Sequence, residues 1–410
     1  MPRSCLLKLL IFCGLWPSLF LLGAPQTPAA QNNLPASVQL RAIVHFFRGA
    51  NFQGDGELNQ ALDEYREAVR LDNQFAEAYN NLGTVYFERA DYGRATEAYE
   101  TALELQADFA AAHANMGTVY SRQGHRMNVA QFYRRAITHL ERAIELDPNL
   151  AEAYNTLGIV YNRQGEYHRS SEFFMKAKQV RPSYVDAYNN LGFTLSRLGQ
   201  FGRAIEELQK ALQVDSNFAP ARHNLGMANL LQGDSLSAQR ELEKAVADNP
   251  NFVPSYVELA ALRLRQDKAG EALKIALQAV QIDPGSARAQ NILGLCHLEL
   301  GDQIKALAAL EEAVRLDDNF PECHSNLGAL LARQGDSGRA LREFDRATEL
   351  NSQLPDPYKF RGDIFFRLAD HTRAIENYSR YLEVVPDAPD ATRIRSLIDL
   401  LQSLEEESDN

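Results

Sequence analysis

The sequence predicts an all-α solenoid of about ten helix-turn-helix repeats, closed by a C-terminal capping helix. Three observations carry this. A glycine recurs at Gly49, Gly83, Gly117, Gly158, Gly192, Gly226, Gly294, Gly328 and Gly362, with Ala260 in the one exceptional place. The steps are 34 residues, except for 41 between Gly117 and Gly158. An alanine follows at the same period, at Ala68, Ala102, Ala143, Ala177, Ala211, Ala245, Ala279, Ala313 and Ala347. Within each unit the apolar and small residues fall at helical spacing. In 76–109 these are Tyr79, Leu82, Gly83 and Tyr86, then Ala95, Ala98, Tyr99, Ala102 and Leu103. Gly83 and Ala95 have almost no side chain, so the two helices approach closely, and the tyrosines fill the space around that approach. Two such helices cannot bury their apolar faces alone and need a copy on each side.

Taken in order, residues 1–30 read as an export signal. Arg3 and Lys8 precede an uncharged run over 9–22, and Ala24 or 27–30 offers small residues for cleavage. The run is shorter than the ~20 residues that span a bilayer. An uncleaved anchor over residues 6–22 is the alternative, and both readings place the chain in the periplasm or outside the cell. Residues 31–41 read as a connector. The ten units then run over 42–75, 76–109, 110–150, 151–184, 185–218, 219–252, 253–286, 287–320, 321–354 and 355–388. Between units Pro148, Pro182, Pro250, Pro284 and Pro386 stop one helix and set up the next. In the rest, Ile394, Leu397, Ile398, Leu401 and Leu404 suit a capping helix, with an acidic frayed tail over 405–410.

The pattern resembles the tetratricopeptide repeat. Tyr154, Leu157, Gly158, Tyr161, Phe174, Ala177 and Pro182 match its signature almost in full, although the usual tryptophan at the fourth position is Tyr or His in most units. The resemblance implies a right-handed superhelix with a concave groove lined by first helices. The third unit departs from the pattern by seven extra residues, with Arg135-Ala136-Ile137 echoed by Arg142-Ala143-Ile144. Seven residues make about two helical turns. The expected result is a second helix about two turns longer than its neighbours, projecting from the rim.

Function is expected on the first-helix face turned away from the second helix, at positions 2, 5, 6, 9, 12 and 13 of each unit. Positions 5 and 6 hold a row of asparagines: Asn80, Asn81, Asn115, Asn155, Asn189, Asn190, Asn224 and Asn326, with Asn291 beside them. Asparagine is a mediocre helix former, so the row needs a reason. Its amides suit either an extended peptide backbone or a neighbouring helix. Farther along, Phe193, Met227, Leu230, Leu231, Val257, Leu264, Ile292, Leu295 and Leu298 form an apolar wall suited to a partner's apolar side chains or amphipathic helix. Arginines recur at position 13, and pairing with acidic neighbours is the expected role. The lysine and asparagine of the two-carboxylate clamp used by some family members are not matched.

The formal charge is −12, and losing Arg3 and Lys8 leaves 40 basic against 54 acidic residues. That balance disfavours nucleic acid or an anionic membrane surface as partner, leaving the membrane only to the anchor reading. No P-loop, GxGxxG, metal-ligand spacing or nucleophile-base arrangement occurs, so no cofactor, metal or catalysis is expected. Cys296 and Cys323 read as reduced core side chains. Their register differs by seven residues, about 10 Å along parallel helices, and only a strong stagger would bring them within disulfide reach. The function expected is a non-catalytic scaffold that binds peptide segments or partner helices, in envelope assembly or secretion. The alternative is a substrate-delivery or regulatory subunit of an enzyme complex acting in trans.

Overall fold

The computed structural model describes residues 34–127 and 129–408, so the expected signal segment lies outside the described residues. The described residues form 21 α-helices and no strand. They divide into two compact units, one ending at Ser216 and one beginning at Asn217.

The first unit holds α1 (Ala36–Gly54), α2 (Leu58–Leu71), α3 (Ala76–Glu88), α4 (Tyr92–Leu105), α5 (Ala110–Met127), α6 (Ala130–Leu146), α7 (Ala151–Arg163), α8 (Tyr167–Val180), α9 (Val185–Arg197) and α10 (Phe201–Val214). Consecutive helices pair as hairpins, α2, α4, α6 and α8 each pack on the next odd helix, and odd helices touch each other in turn. α1 begins at Ala36, so part of the stretch expected as a connector is helix. Its outward face carries Leu40, Ile43, Val44 and Phe47, all exposed. At the matching places on α3, Ala78 and Asn81 are buried under the preceding hairpin. The stripe is therefore a stacking surface at the end of the described array.

The second unit holds α11 (Ala219–Gln232), α12 (Ser235–Asp248), α13 (Val253–Arg265), α14 (Ala269–Ile282), α15 (Ala287–Glu299), α16 (Gln303–Leu316), α17 (Pro321–Arg333), α18 (Ser337–Leu350), α19 (Pro355–Arg367), α20 (His371–Val384) and α21 (Ala391–Ser408). α21 lays Ala391, Ile394 and Leu401 against Ala374, Tyr378 and Tyr381, closing the last hairpin as a cap. The helix runs on through the acidic stretch to Ser408.

Each recurrent glycine faces one large side chain of its partner helix. A Cβ on Gly83 would sit 2.7 Å from the Tyr99 ring, one on Gly158 2.6 Å from Phe174, and one on Gly192 2.4 Å from Leu208 Cγ. Ala260, the exception, is met by the other exception: the residue at that register of α14 is Ala276, with both buried in one cluster. Short turns join the helices of a pair. Their left-handed residue is glycine at Gly56, Gly165, Gly199, Gly233, Gly301 and Gly335, but alanine at Ala90 and Ala369 and aspartate at Asp267. In several pairs an aspartate then caps the second helix, as Asp91, Asp234, Asp302, Asp336 and Asp370 do.

The third hairpin corrects one expectation. The extra residues do not lengthen the second helix alone. α5 has 18 residues against 13 in α3, and α6 has 17 against 14 in α4. The reason is the close approach between the two helices. Gly117 meets Leu140, and one heptad farther toward the tip Gly124 meets Tyr133, where a Cβ would lie 2.9 Å from the ring. An added layer must supply a small residue on one helix and a large one on the other, so both helices grow. The end of α5 extends about 7 Å beyond the register of its neighbours, at 1.5 Å per residue.

Candidate functional site

The asparagines do not stand as a free row. Asn80 and Asn81 are 0% exposed, and Asn115, Asn155 and Asn189 are also buried. Asn190, Asn224 and Asn326 are half-buried. Their amides bond along and across the hairpins. Asn115 Nδ2 donates to Asn80 Oδ1 at 3.0 Å, and Asn80 Nδ2 donates to Asn81 Oδ1 at 3.2 Å. The relay continues from Asn81 Nδ2 to the Tyr65 hydroxyl at 3.4 Å, and from that hydroxyl to Gln53 Oε1 at 3.0 Å. One chain of donors thus ties three hairpins. Burial pushes the Tyr65 phenol up, which keeps it a donor at any ordinary pH. The same clamp recurs where Asn190 Nδ2 donates to Asn155 Oδ1 at 3.0 Å. In the second unit Asn326 Nδ2 donates to Asn291 Oδ1 at 2.9 Å.

The rule is that position 6 of one repeat donates to position 5 of the repeat before it. The signal is present in the sequence at a spacing of 35 rather than 34: Asn80 with Asn115, Asn155 with Asn190, and Asn291 with Asn326. Positions 5 and 6 sit where first helices abut, and buried amides there need partners. Thr84, on the same face, is also buried, bonded to the Asn80 carbonyl and the Tyr99 hydroxyl.

The apolar positions are placed differently. In the first unit Phe193 on α9 is 44% exposed. In the second, Met227, Leu230 and Leu231 lie along one face of α11. Met227 and Leu230 are half-buried, and Leu231 is 55% exposed. Leu295 and Leu298 on α15, with Val257 and Leu264 on α13, are half-buried, whereas Ile292 is buried. Ile292 and Val257 pack together at the junction of two first helices, the apolar counterpart of an asparagine clamp. Within this apolar set of the second unit, Leu231 is the exposed member, and with half-buried Met227 and Leu230 beside it α11 offers a partner an apolar face.

Charged groups at the helix ends are mostly occupied. Arg197 donates to the Tyr167 hydroxyl, so this member of the position-13 row engages a phenol rather than a carboxylate. His113 and His139 lie with their Nδ1 atoms 3.0 Å apart. Burial, with His113 and Arg135 nearby, pushes His139 down to about 4. Cys296 and Cys323 are free, buried thiols, each pushed up to about 12 chiefly by burial. Among the described residues no group of three or more His, Cys, Asp or Glu is placed to hold a metal ion. No described helix is long and apolar enough to cross a membrane.

Sequence reasoning missed a feature at the hairpin tips. The extended end of α5 and the turn of the second hairpin enclose a notch of about 500 Å3, lined among others by Arg89, Asp91, Tyr92, Gln123, Arg126 and Met127. The heptad between Gly117 and Gly124, mirrored by Tyr133 and Leu140, is the signal that would have placed it.

Comparison with known proteins agrees with this geometry. A family profile described as TPR repeat matches residues 55–89, 83–124 and 294–335. Two described as tetratricopeptide repeat match 149–217, and 223–287 with 325–392. A sequence search of the curated proteins finds no match. Among solved structures, yeast Tom70 aligns with a TM-score of 0.51 at 14% identity, over 89% of this chain and 96% of that one. The human IFIT1 dimer with PPP-AAAA aligns at 0.57 and 17% identity, over 82% and 84%. A tetratricopeptide repeat protein from Parabacteroides merdae aligns at 0.51 and 16%, over 62% and 98%. At these identities the likeness is one of fold, and the RNA in the IFIT1 complex is a property of that protein.

Proposed function

The chain belongs to the tetratricopeptide repeat family, a protein-interaction scaffold, and from that premise we propose that it captures protein partners on the apolar first-helix faces of its second unit. The observation that carries this is exposed Leu231 with half-buried Met227 and Leu230 along one face of α11, supported by half-buried Leu295 and Leu298 on α15. A partner bringing apolar side chains at helical spacing would bury these residues, and the preformed repeat array would lose little freedom on binding. The asparagines contribute indirectly, by holding adjacent first helices in register. The signal-like residues 1–30 support export, with work in envelope assembly or secretion.

The test is capture of partners from the native compartment by the full chain and by Leu231→Glu and Leu295→Glu variants. A charge at either site is expected to cut recovery at least about tenfold, the equivalent of ~1.4 kcal/mol. Circular dichroism and thermal melting should be unchanged in Leu231→Glu, because Leu231 is exposed; Leu295 is half-buried against the Ile292 cluster, so Leu295→Glu counts only with its helical signal intact. Equal recovery by all three proteins would defeat the proposal. Recovery of one stable enzyme in fixed ratio would turn the reading toward a subunit acting in trans.

A further inference from the structure

The notch at the tips of the second and third hairpins lies outside the surface just described, and its chemistry is different. In a chain of net charge −12, residues 109–140 contain no aspartate or glutamate but four arginines, Arg122, Arg126, Arg134 and Arg135. Arg126, at the end of α5, is exposed and makes no ion pair among the described residues. On the opposite wall Arg89 spends one Nη1–H on Asn59 Oδ1 at 3.1 Å, which leaves other guanidinium hydrogens for a ligand. The single carboxylate in the lining is already engaged. Asp91 caps α4 by accepting from the Arg94 backbone N–H at 3.2 Å, and it also pairs with the Arg94 side chain. That bonding holds its carboxyl below the usual range.

Gln123 supplies the second observation. Its Oε1 is buried in the wall and accepts no hydrogen bond. A buried acceptor without a donor is costly to leave unmet, so the site is incomplete as it stands. A bare phosphate or sulfate would satisfy the arginines but brings no hydrogen to Gln123. A peptide brings both, a carboxylate and a backbone N–H a few ångströms away. Met127 and Tyr92 offer an apolar edge for a neighbouring side chain.

We propose that this notch binds an acidic peptide segment. A carboxylate sits between Arg89 and Arg126, an adjacent peptide N–H donates to Gln123 Oε1, and an apolar side chain rests on Met127 and Tyr92. The site exists because the added heptad carries the end of α5 past the neighbouring turn, which gives the longer hairpin a task beyond stacking.

The probe is a fluorescein-labelled peptide of alternating leucine and glutamate, titrated against the full chain by fluorescence anisotropy at low salt. Saturable binding is expected. Arg126→Glu should weaken it at least about tenfold, since it removes a charge-assisted hydrogen bond and sets a like charge against the peptide carboxylate. Gln123→Leu should weaken it severalfold. Arg134→Glu, an exposed site on α6 outside the notch lining, should leave it unchanged, and so should Leu231→Glu. The proposal is overturned if wild type shows no saturation, or if a peptide with glutamine in place of glutamate binds as well. It is also overturned if Arg134→Glu costs as much as Arg126→Glu, which would mark diffuse attraction. Loss of binding in Leu231→Glu would place the peptide on the second unit and likewise overturn it.

Discussion

Replacing Asn115 with alanine tests whether the asparagine row holds the repeats or reads a partner. Asn115 is buried, and its Nδ2 donates to Asn80 Oδ1 at 3.0 Å inside the relay that reaches Tyr65 and Gln53. Asn115→Ala deletes that donor while Asn80 stays buried, and such a loss costs ~1–3 kcal/mol. Alanine recovers part of this, about 0.5 kcal/mol, through better helix propensity. The net expectation is a destabilisation of ~1–2 kcal/mol, confined to the junction of α3 and α5. A repeat array is not a two-state system as a whole, so the readout must be local. Hydrogen exchange followed by mass spectrometry should show protection in α3 and α5 falling about five- to thirtyfold, with the second unit unchanged. In a double-mutant cycle, Asn80→Ala and Asn115→Ala should couple by ~1 kcal/mol. The reasoning is refuted if protection holds, the cycle is additive, and partner capture nevertheless collapses. The row would then be a recognition surface.

Three further outcomes follow from the same structure. Gly192→Ala forces a Cβ to 2.4 Å from Leu208 Cγ, for an overpacking cost of ~1–3 kcal/mol against a propensity gain of ~1 kcal/mol. Adding Leu208→Ala recreates the Ala260–Ala276 pairing found in the seventh repeat, so in urea melts the double variant should lose less than the sum of the singles, and additivity would reject the pairing. Ala369 holds a φ of 57°, so Ala369→Gly should raise stability by up to ~1 kcal/mol, whereas a lower melting temperature would show that the turn conformation is misread. Acidification should loosen the third hairpin. His139, depressed to about 4 chiefly by burial, and His113, lowered also by burial, take up protons more readily in the unfolded chain, near pH 6.5, than in the fold, so stability falls as pH drops from 6.5 toward the His139 value of about 4. His324 has the opposite sign. Burial lowers its pKa, but Glu343 and Asp318 outweigh this and raise it overall, so it favours the fold at acid pH. Exchange corrected for intrinsic rates should then show α5 and α6 losing protection at pH 5 while α17 and α18 do not.

The helical pairs were legible because their determinants are local. The glycine and alanine steps, the 3.6-residue spacing and the interrupting prolines lie within one repeat, and the resulting helices follow that pattern. The third hairpin was less legible. Seven residues counted along one helix suggest two extra turns there, but close packing against a partner forces the layer to be shared, as Gly124 and Tyr133 show. The asparagines mark where a one-repeat reading fails. At a spacing of 34 they look like a row on one face, and only at 35 do donors meet acceptors in the next repeat. Exposure of Leu231 against burial of Ile292 was not legible either. Both are apolar residues on expected outer faces, and only the stacking of first helices separates them.

The central claim is that partners are held by the apolar first-helix faces of the second unit. Site-specific photocrosslinking in the native compartment tests it most directly, with a photoreactive amino acid placed at Leu230, Leu231 or Leu295 on the first helices, and at exposed Lys274 on the second helix α14 as a control. The account predicts discrete crosslinked partner bands from the three leucine positions and none from Lys274. Bands from Lys274 alone, with the leucine positions silent, would contradict it.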